Sequence, residues 1–362
     1  MKILVSVFNN LGTDQRVEKV CQTLSENGYE IELLGNNWAG LPPLERNYPF
    51  SRIILKSKIL RFAYVEFQRK LYQELLKKAD QNTILLSNDL DTLLPNYLIS
   101  KKLNIPLVYD SHEIFTEMPA INGRFTQKIW RRLEQWIVPK LKYMMTASES
   151  YADWFHETYR IERPVAVQNF PRKTVNPQDY TESNSKKIIL YQGVINPSRG
   201  LDKMIPAMKF IENAEFWIAG DGPRKEEYFR LTESLGLAHK IKFLGKLPPE
   251  KLRTITPKAD VGLSIEENNG LSYFYSMPNK ISDYIQCRVP VVVSDFPEMR
   301  KVVDVFESGE KIADYSELAD KVNKVLQNGK LFYKDSLNNA ATCLCWEKEE
   351  PKILALFHKI PS

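Results

Sequence analysis

The chain has 362 residues, of which 43% are hydrophobic and 26% charged, and its formal net charge at pH 7 is +5. This length suits two domains better than one α/β core, and the composition is that of a globular protein. The mild charge and the lack of a recognised motif argue against a nucleic-acid-binding protein, and no apolar run reaches the roughly 18 residues that span a bilayer.

The first residues, MKILVSVFNN, combine one lysine with a short apolar run, which predicts a first β-strand and not a signal peptide. Four cysteines are scattered along the chain. Their spacing predicts neither a disulfide framework nor a zinc site and favours a reducing, cytoplasmic location.

Short apolar strands then alternate with segments of helical spacing, in two series. This pattern predicts two doubly wound α/β domains with ligands bound in a cleft at the carboxyl ends of their parallel strands. The predicted organisation is a first Rossmann-like domain over 1–171, a polar linker over 172–187, a second Rossmann-like domain over 188–345, and a last helix over 346–362 that packs back on the first domain. The predicted strands are 2–8, 29–34, 84–87, 106–110, 144–148 and 165–169, then 187–193, 241–245, 259–265 and 289–295, and residues 214–222 are predicted to form a strand followed by a turn.

The turns after the first strand of each domain, FNNLGTDQR and QGVINPSRG, lack the G-x-G-x-x-G fingerprint of dinucleotide binding. A dehydrogenase is therefore disfavoured. Gly12 either lets a sugar or phosphate approach the backbone or merely shapes its turn.

Polar residues at strand ends are the candidates for chemistry in the first domain. His112 and Glu113 end the strand that contains YDSHE, and we expect His112 to be functional. Asp89 and Asp91 follow another strand and suit a helix cap or an acceptor contact better than a metal site. The candidate acceptor or sugar-side residues are Gly12, Asp14, Asp89, Asp91 and Glu113.

In the second domain, Arg199 and Lys203 open a helix where a phosphate could bind, although two solvated cations would look the same. Gly220 and Gly222 either let the backbone lie against a nucleotide base or form a plain strand–helix turn.

The stretch SMPNKISDY, 276–284, begins a helix that Ser276 or Asn279 could cap. Its free N–H groups and Lys280 suit a diphosphate, and Asp283 suits ribose hydroxyls. The aromatic run before it would then form a wall of the pocket. The alternative is an ordinary capped helix with Lys280 and Asp283 as a surface pair.

Several motifs together resemble the family 4 retaining glycosyltransferases of GT-B fold, especially the bacterial polysaccharide type. They are NDLDTLLPNYL, LVYDSHEIF, VPKLKYMMTASES, YQGVINPSRGLDKMI, WIAGDGP, KIKFLGKLPPEKL, PNKISDY and VPVVVSDFPEMRKVV. The resemblance implies transfer of a hexosyl or N-acetylhexosaminyl group from a UDP- or GDP-linked donor to a glycan or lipid-linked acceptor. It implies no cofactor and no metal.

By the same resemblance, His112 would touch the donor sugar, Arg199 would neutralise the departing diphosphate and Asp283 would hold the ribose. The implied donor-nucleotide residues are Gly193, Arg199, Gly220, Gly222, Pro278, Asn279, Lys280 and Asp283. The catalytic candidates are His112, Arg199, Lys280 and Glu266.

The sequence departs from the family pattern at three positions. The family's second motif glutamate is Asp283 here, and the position eight residues before it is Tyr275, so that Glu266 or Glu267 is left to do the work of the first acid. The family's arginine before the basic residue is missing here, where Val194 lies in the corresponding region. Lys280 is the candidate to supply the missing positive charge.

Two basic and aromatic stretches, 56–78 and 124–142, each carry a net charge of +5. They suit either contact with an anionic membrane or ordinary amphipathic helices with snorkelling cations. Two other functions stay open: a UDP-sugar 2-epimerase of GT-B fold, and a non-catalytic nucleotide-sugar-binding subunit.

Overall fold

A computed structural model describes residues 1–12, 14–174 and 186–361. The chain divides into two compact units: Met1–Asn169 with Glu349–Ser362, and Phe170–Lys348. Most of the predicted linker, residues 175–185, lies outside the described residues.

The first unit contains, in its described residues, a fully parallel seven-stranded sheet of order β3-β2-β1-β4-β5-β6-β7. Its strands are β1 Lys2–Ser6, β2 Glu30–Asn36, β3 Phe50–Ile53, β4 Thr83–Asn88, β5 Leu107–Ser111, β6 Tyr143–Thr146 and β7 Val165–Ala166. Its helices are α1 Gln15–Glu26, α2 Leu60–Lys78, α3 Leu90–Leu103, α4 Phe125–Ile137 and α5 Glu149–Tyr159.

The second unit contains, in its described residues, a fully parallel six-stranded sheet of order β10-β9-β8-β11-β12-β13. Its strands are β8 Lys187–Gln192, β9 Ala214–Ala219, β10 Ile241–Gly245, β11 Val261–Ser264, β12 Val291–Ser294 and β13 Gly309–Ile312. Its helices are α6 Leu201–Ala207, α7 Lys225–Ser234, α8 Pro249–Ile255, α9 Leu271–Phe274, α10 Asn279–Gln286, α11 Pro297–Phe306, α12 Leu318–Phe332 and α13 Lys334–Cys343.

The apolar strand residues form the core of each unit. Leu4, Leu85 and Tyr109 are buried in the first sheet, and Ile189 and Leu263 in the second. Strands that are buried on both faces read as continuous apolar runs, which is why the central strands could be found in the sequence.

The last helix, α14 (Trp346–His358), carries the chain into the first unit from Glu349 onward, in agreement with the prediction for this segment. There Phe357 packs edge-on against Tyr29 of the same unit, with ring centroids 5.9 Å apart. Among the described residues, no helix is both long and apolar enough to cross a membrane.

Two strands were missed in the sequence, β3 and β13. Both lie at sheet edges and mix polar with apolar residues, FSRI and GEKI, so they lack the apolar run of a central strand. Predicted strands also ran too far at their carboxyl ends, as in 187–193, where β8 stops at Gln192. The residues beyond that point are the loops that carry the candidate site.

Candidate active site

Three charged side chains meet at the carboxyl edge of the second sheet. Glu266 follows β11, Arg199 lies in the loop after β8, and Lys280 is in the first turn of α10. The Lys280 Nζ lies 2.5 Å from Glu266 Oε1, and the Arg199 Nη1 lies 3.4 Å from the same oxygen. The structure therefore brings together two cations and a carboxylate that are far apart in the sequence.

Aromatic rings support both cations. The Lys280 Nζ lies 4.7 Å from the centroid of the Tyr191 ring, and the Arg199 guanidinium lies 4.8 Å from that of Tyr273. An aromatic face attracts a cation through its quadrupole, so each ring stabilises the charge beside it. Tyr273 belongs to the aromatic run that was predicted to form a pocket wall, and that role remains a prediction.

The Glu266 side chain is fully buried, 0% exposed. Its second oxygen, Oε2, accepts a hydrogen bond of 2.8 Å from the Ser264 hydroxyl. Burial raises the pKa of this carboxyl, but the charges of Lys280 and Arg199 outweigh burial and the net shift is downward. Glu266 is thus an ionised, internally bonded group, and its catalytic role remains a prediction.

Helix α10 begins directly beside this cluster. Pro278 occupies the N-cap position, so the predicted capping by Ser276 or Asn279 is wrong. The Ser276 hydroxyl bonds instead to the carbonyl of Tyr273. The Lys280 side chain is only 10% exposed and pairs with Glu266, which overturns the alternative in which it is a surface residue.

Asp283 lies one turn further along α10 and is half-buried. Its Oδ2 accepts a hydrogen bond of 3.2 Å from the Gln192 amide, whose own oxygen accepts one from Thr256. Gln192 is the last residue of β8, so Asp283 is held at the same sheet edge as the three charged residues.

The glycines of the predicted donor site allow two loops to pack closely. A Cβ on Gly220 would lie 1.8 Å from the Gly193 carbonyl oxygen, and one on Gly222 would lie 2.5 Å from that of Ile195. Their observed role is therefore contact between the loops after β9 and β8. Gly200, which follows Arg199, has a φ of 70°, and a Cβ on it would lie 2.2 Å from the Ile265 carbonyl oxygen. This glycine therefore also allows two loops to pack closely.

His112 is the centre of a second charged group, at the carboxyl edge of the first sheet. Its Nδ1 lies 3.3 Å from Asp89 Oδ2, and its Nε2 lies 3.1 Å from Asn88 Oδ1 and 3.4 Å from Asp110 Oδ2. Burial lowers the pKa of His112, but the Asp89 and Asp110 carboxylates outweigh it and raise the pKa to about 9. Both ring nitrogens face acceptors, as in an imidazolium.

Asp110 is itself held by Arg16 of α1. The guanidinium makes two hydrogen bonds to the carboxylate, of 2.9 and 2.6 Å, and donates to the Val167 carbonyl. Burial raises the pKa of Asp110, but Arg16 and His112 lower it to about 2. The buried Arg16 fixes the histidine through this carboxylate, a partnership that the sequence analysis missed.

One alternative predicted that the Asp89 side chain caps its helix, and this is wrong. Asp89 occupies the N-cap position of α3, but its side chain makes no capping hydrogen bond. Its Oδ1 accepts a hydrogen bond of 2.9 Å from the His112 backbone N–H, and its own φ of 58° lies in the left-handed region. Asp91, in the first turn of α3, is 8% exposed. Its Oδ1 is buried and has no hydrogen-bond partner among the described residues.

Of the three remaining first-domain candidates, Gly12 and Asp14 have structural contacts. A Cβ on Gly12 would lie 2.6 Å from Pro42 Cγ, so this glycine accommodates the neighbouring loop. Asp14 is the N-cap of α1 and accepts from the Val17 N–H and the Asn9 amide. Burial raises the pKa of Asp91 well above its usual range, the Asp89 charge raises it further, and the half-buried Glu113 adds to the shift.

Two family models match consecutive parts of the chain. Residues 12–169 match the family described as Glycosyltransferase Family 4, and residues 172–341 match Glycosyl transferases group 1. The chain belongs to glycosyltransferase family 4. As a family 4 enzyme of GT-B fold, it is a retaining glycosyltransferase that uses a nucleotide-sugar donor.

Individual relatives of this glycosyltransferase are distant. It is 21% identical to the chitobiosyldiphosphodolichol beta-mannosyltransferase of Candida glabrata, over 92% of this chain and 85% of that protein. Sucrose-phosphate synthase of Thermosynechococcus elongatus has a TM-score of 0.79 at 14% identity and covers 99% and 98% of the two chains. Anabaena HepE in complex with UDP-glucose has a TM-score of 0.73 at 14% identity, over 99% and 100%.

The sequence signal for the missed partners of the glycosyltransferase site was weak. Arg16, Tyr64 and Tyr191 belong to ordinary helix and strand patterns, and only their tertiary contacts bring them to the charged groups. Within the part of the chain that is described, no three His, Cys, Asp or Glu side chains are arranged to hold a metal ion.

Proposed function

We propose that this enzyme transfers a hexosyl or N-acetylhexosaminyl group from a UDP-sugar to a glycan or lipid-linked acceptor at the cytoplasmic face of a membrane, without a metal ion. The observation that carries the donor half of the proposal is the meeting of Arg199 and Lys280 beside the first turn of α10. The choice of UDP rests on HepE, which is described in complex with UDP-glucose.

Breaking the bond between a sugar and a nucleoside diphosphate develops negative charge on the leaving phosphate. Arg199 and Lys280 would stabilise that charge, and the N–H groups of the first turn of α10 would add hydrogen bonds and the positive end of the helix dipole. Because Glu266 neutralises only one of the two cations, the cluster keeps a positive charge for the diphosphate.

Asp283 would accept hydrogen bonds from the ribose hydroxyls. Its position on the second turn of α10 places it one turn from Lys280, about 5 Å along the helix axis. The His112 ring would contact the donor sugar. Because the imidazolium already carries a proton on each nitrogen, it cannot act as a general base in the reaction.

Retention allows the acceptor hydroxyl to attack on the face that the phosphate leaves. The acceptor proton then passes to a phosphate oxygen as the C–O bond to the sugar forms. No protein nucleophile is required by this route, which agrees with a Glu266 carboxylate whose oxygens are bonded to Lys280, Arg199 and Ser264. In this reaction Glu266 positions the cations.

The donor half is tested by thermal unfolding of the purified chain with UDP-, GDP-, ADP- and CDP-sugars. A donor at a hundredfold excess over its Kd stabilises the native state by about 2.7 kcal/mol. We expect a UDP-sugar to raise the melting temperature and Asp283→Ala to abolish that rise. Asp304→Ala, an exposed carboxylate on α11 that pairs with Lys311, is the matched control.

Three outcomes would contradict the donor half. If no nucleotide sugar stabilises the chain, the donor site is refuted. If Asp283→Ala keeps the full stabilisation, the ribose contact is wrong. If a UDP-sugar alone is converted to its 2-epimer, the enzyme is an epimerase and not a transferase.

The membrane part of the proposal rests on the outer faces of α2 and α4. These helices expose large apolar side chains next to cations: Val65 is 70% and Phe125 75% exposed. The other exposed large apolar residues on them are Leu60, Phe62, Leu76, Ile129 and Trp136. Such a mixture of apolar and cationic groups matches an anionic lipid surface.

Co-sedimentation with vesicles tests this contact. We expect the enzyme to bind vesicles that contain phosphatidylglycerol and to bind pure phosphatidylcholine vesicles weakly. The double variant Phe125→Ser, Ile129→Ser should lose most of the binding. Leu331→Ser, Phe332→Ser in the second unit removes equally exposed side chains and should change nothing. Equal loss in both variants would contradict the assignment of this face.

A further inference from the structure

Two buried polar side chains hold the Asp283 carboxylate from behind. The Asp283 Oδ2 lies 3.2 Å from the Gln192 Nε2, and the Gln192 Oε1 lies 2.8 Å from the Thr256 hydroxyl. Gln192 ends β8 and is 6% exposed, while Thr256 directly follows α8 and is 2% exposed. We call Gln192 and Thr256 the support pair. It connects a buried hydroxyl to a half-buried carboxylate at the edge of the second sheet.

The hydrogen bonds of the support pair run in one direction. An ionised carboxylate only accepts hydrogen bonds, so Gln192 turns its amide nitrogen to Asp283 and its amide oxygen to Thr256. The Thr256 hydroxyl then donates to that oxygen, and the Leu252 carbonyl, 2.9 Å away, is its other acceptor. A flipped Gln192 amide would place its oxygen against the carboxylate. Thr256 therefore favours the orientation in which Gln192 donates to Asp283.

The backbone of α10 is anchored without this bond. The hydroxyl of the fully buried Tyr284 accepts from the Gln192 backbone N–H at 3.0 Å and lies 3.1 Å from the Leu190 carbonyl oxygen, to which it can donate. A Cβ on Gly262 would lie 2.4 Å from the Tyr284 ring, so this glycine makes room for the ring in β11. The side-chain bond from Gln192 is thus not needed to place the helix, and it acts on the Asp283 carboxylate itself.

Gln192 departs from the apolar pattern of its strand. Ile188, Ile189 and Leu190 of β8 are buried apolar side chains. A buried amide is costly unless its polar atoms are hydrogen-bonded, and both the nitrogen and the oxygen of Gln192 are bonded to polar side chains. Any rotation of this amide would break a bond, so it restricts the orientation of the carboxylate beside it.

We propose that Gln192 and Thr256 are positioning residues for the ribose of the donor, because they orient the Asp283 carboxylate toward the ribose hydroxyls. This inference rests on the proposed function, in which Asp283 accepts those hydrogen bonds. A carboxylate that is already oriented loses less rotational freedom when the ligand binds. The support pair therefore determines how strongly the enzyme prefers a nucleotide with both ribose hydroxyls to one that lacks a hydroxyl.

Titration calorimetry on the full chain measures this preference with UDP, 2′-deoxy-UDP and 3′-deoxy-UDP. We expect the wild type to bind UDP about tenfold or more tightly than at least one deoxy analogue, the factor for one hydrogen bond to a charged group. Gln192→Leu should raise the Kd of UDP by about threefold to tenfold and leave the Kd of that analogue nearly unchanged. The preference for UDP then falls toward equal binding.

Further variants separate the orientation of Asp283 from packing. Gln192→Glu keeps the shape of the side chain and replaces the donor to Asp283 by an acceptor, so it should lose at least as much of the preference as Gln192→Leu. Thr256→Val should lower the preference, whereas Thr256→Ser keeps the hydroxyl and should retain it. If either Gln192 variant fails to fold, the two Thr256 variants decide the question. Gln327→Leu, at an exposed amide on α12, is the control and should change none of the three Kd values.

Several results would overturn the inference. An equal rise in the Kd of UDP and of both analogues in Gln192→Leu would mean that the support pair serves the fold and not the carboxylate. An unchanged preference in Gln192→Leu and Thr256→Val would refute the support pair and keep the donor site. Equal binding of all three nucleotides by the wild type would remove the ribose contact of Asp283. The absence of UDP binding would refute the proposed donor site, and this inference with it.

Discussion

The two charged groups of this glycosyltransferase enclose charges of opposite sign. In the first unit a cation, His112, lies between the carboxylates Asp89 and Asp110. In the second unit a carboxylate, Glu266, lies between the cations Lys280 and Arg199. Each group stands at the carboxyl edge of a parallel sheet, where the strand ends and helix starts bring polar side chains together.

The difference lies in the charge that remains after pairing. Around Glu266 the cations outnumber the carboxylate, so the second unit suits an anionic leaving group. Around His112 the enclosed charge is the imidazolium, and the carboxyls of Asp89 and Asp110 surround it. The two units thus enclose opposite charges at equivalent edges of their sheets.

The largest expected effect comes from breaking the enclosed pair of the second unit. Lys280→Met leaves Glu266 buried with only the longer contact to Arg199, and loss of one partner of a buried pair costs about 3–5 kcal/mol of unfolding free energy. Chemical denaturation measures this loss. Glu266→Gln in the same chain should restore most of the stability, since it removes the unpaired charge.

Donor binding separates the two roles of Lys280. The double variant should be stable yet fail to gain stability from a UDP-sugar, because the cation for the diphosphate is still missing. If the double variant regains both its unfolding free energy and full donor binding, Lys280 stabilises the fold and does not bind the donor.

The enclosed cation of the first unit, His112, makes the stability of the chain depend on pH. The pKa of His112 is raised from 6.5 to about 9 in the folded chain. Its contribution to stability is therefore complete below pH 6.5 and is lost as the pH rises through 9. It amounts to about 3 kcal/mol. The difference in unfolding free energy between the wild type and His112→Asn should shrink by this amount from pH 6 to 9.5, and a constant difference would contradict the paired imidazolium.

A third buried acidic group differs from the first two in its partners, because it accepts hydrogen bonds from neutral hydroxyls and not from cations. Glu134 of α4 accepts from Thr116 and Tyr159, and burial raises its pKa from 4.5 to about 7 despite both bonds. The folded chain then binds more protons than the unfolded chain, so this residue lowers stability as the pH rises.

Glu134→Gln removes that titration. Relative to the wild type, the variant should gain about 2 kcal/mol of unfolding free energy between pH 5.5 and 8. Denaturation curves at both pH values measure the gain. Glu149→Gln, an exposed carboxylate on α5 that pairs with Arg163, should show no such gain.

The smallest expected effect concerns the aromatic support of the second group. Tyr273→Leu removes the ring below Arg199, a contact worth about 0.5–1 kcal/mol at a partly exposed site. The donor Kd should rise about twofold to fivefold, and titration calorimetry would detect it. An equal rise in Phe274→Leu, whose ring packs on Phe296, would indicate a general loosening of α9.

Much of this architecture was readable from the sequence. The central strands could be predicted because they are continuous apolar runs. The loops that carry polar residues could be predicted from the motifs NDLDTLLPNYL, YDSHE, PSRGLDK and PNKISDY. Edge strands β3 and β13 were missed because a strand that is exposed along one side carries no continuous apolar signal.

The sequence by itself determined the two parallel sheets, the family and the loops that carry charge, because apolar periodicity and motif spacing are local along the chain. Only the tertiary structure decided which charges meet. Glu266 and Lys280 are 14 positions apart, and Arg16 and Asp110 are 94 apart. Burial then sets their protonation, since a buried charge depends on the partners that folding brings beside it.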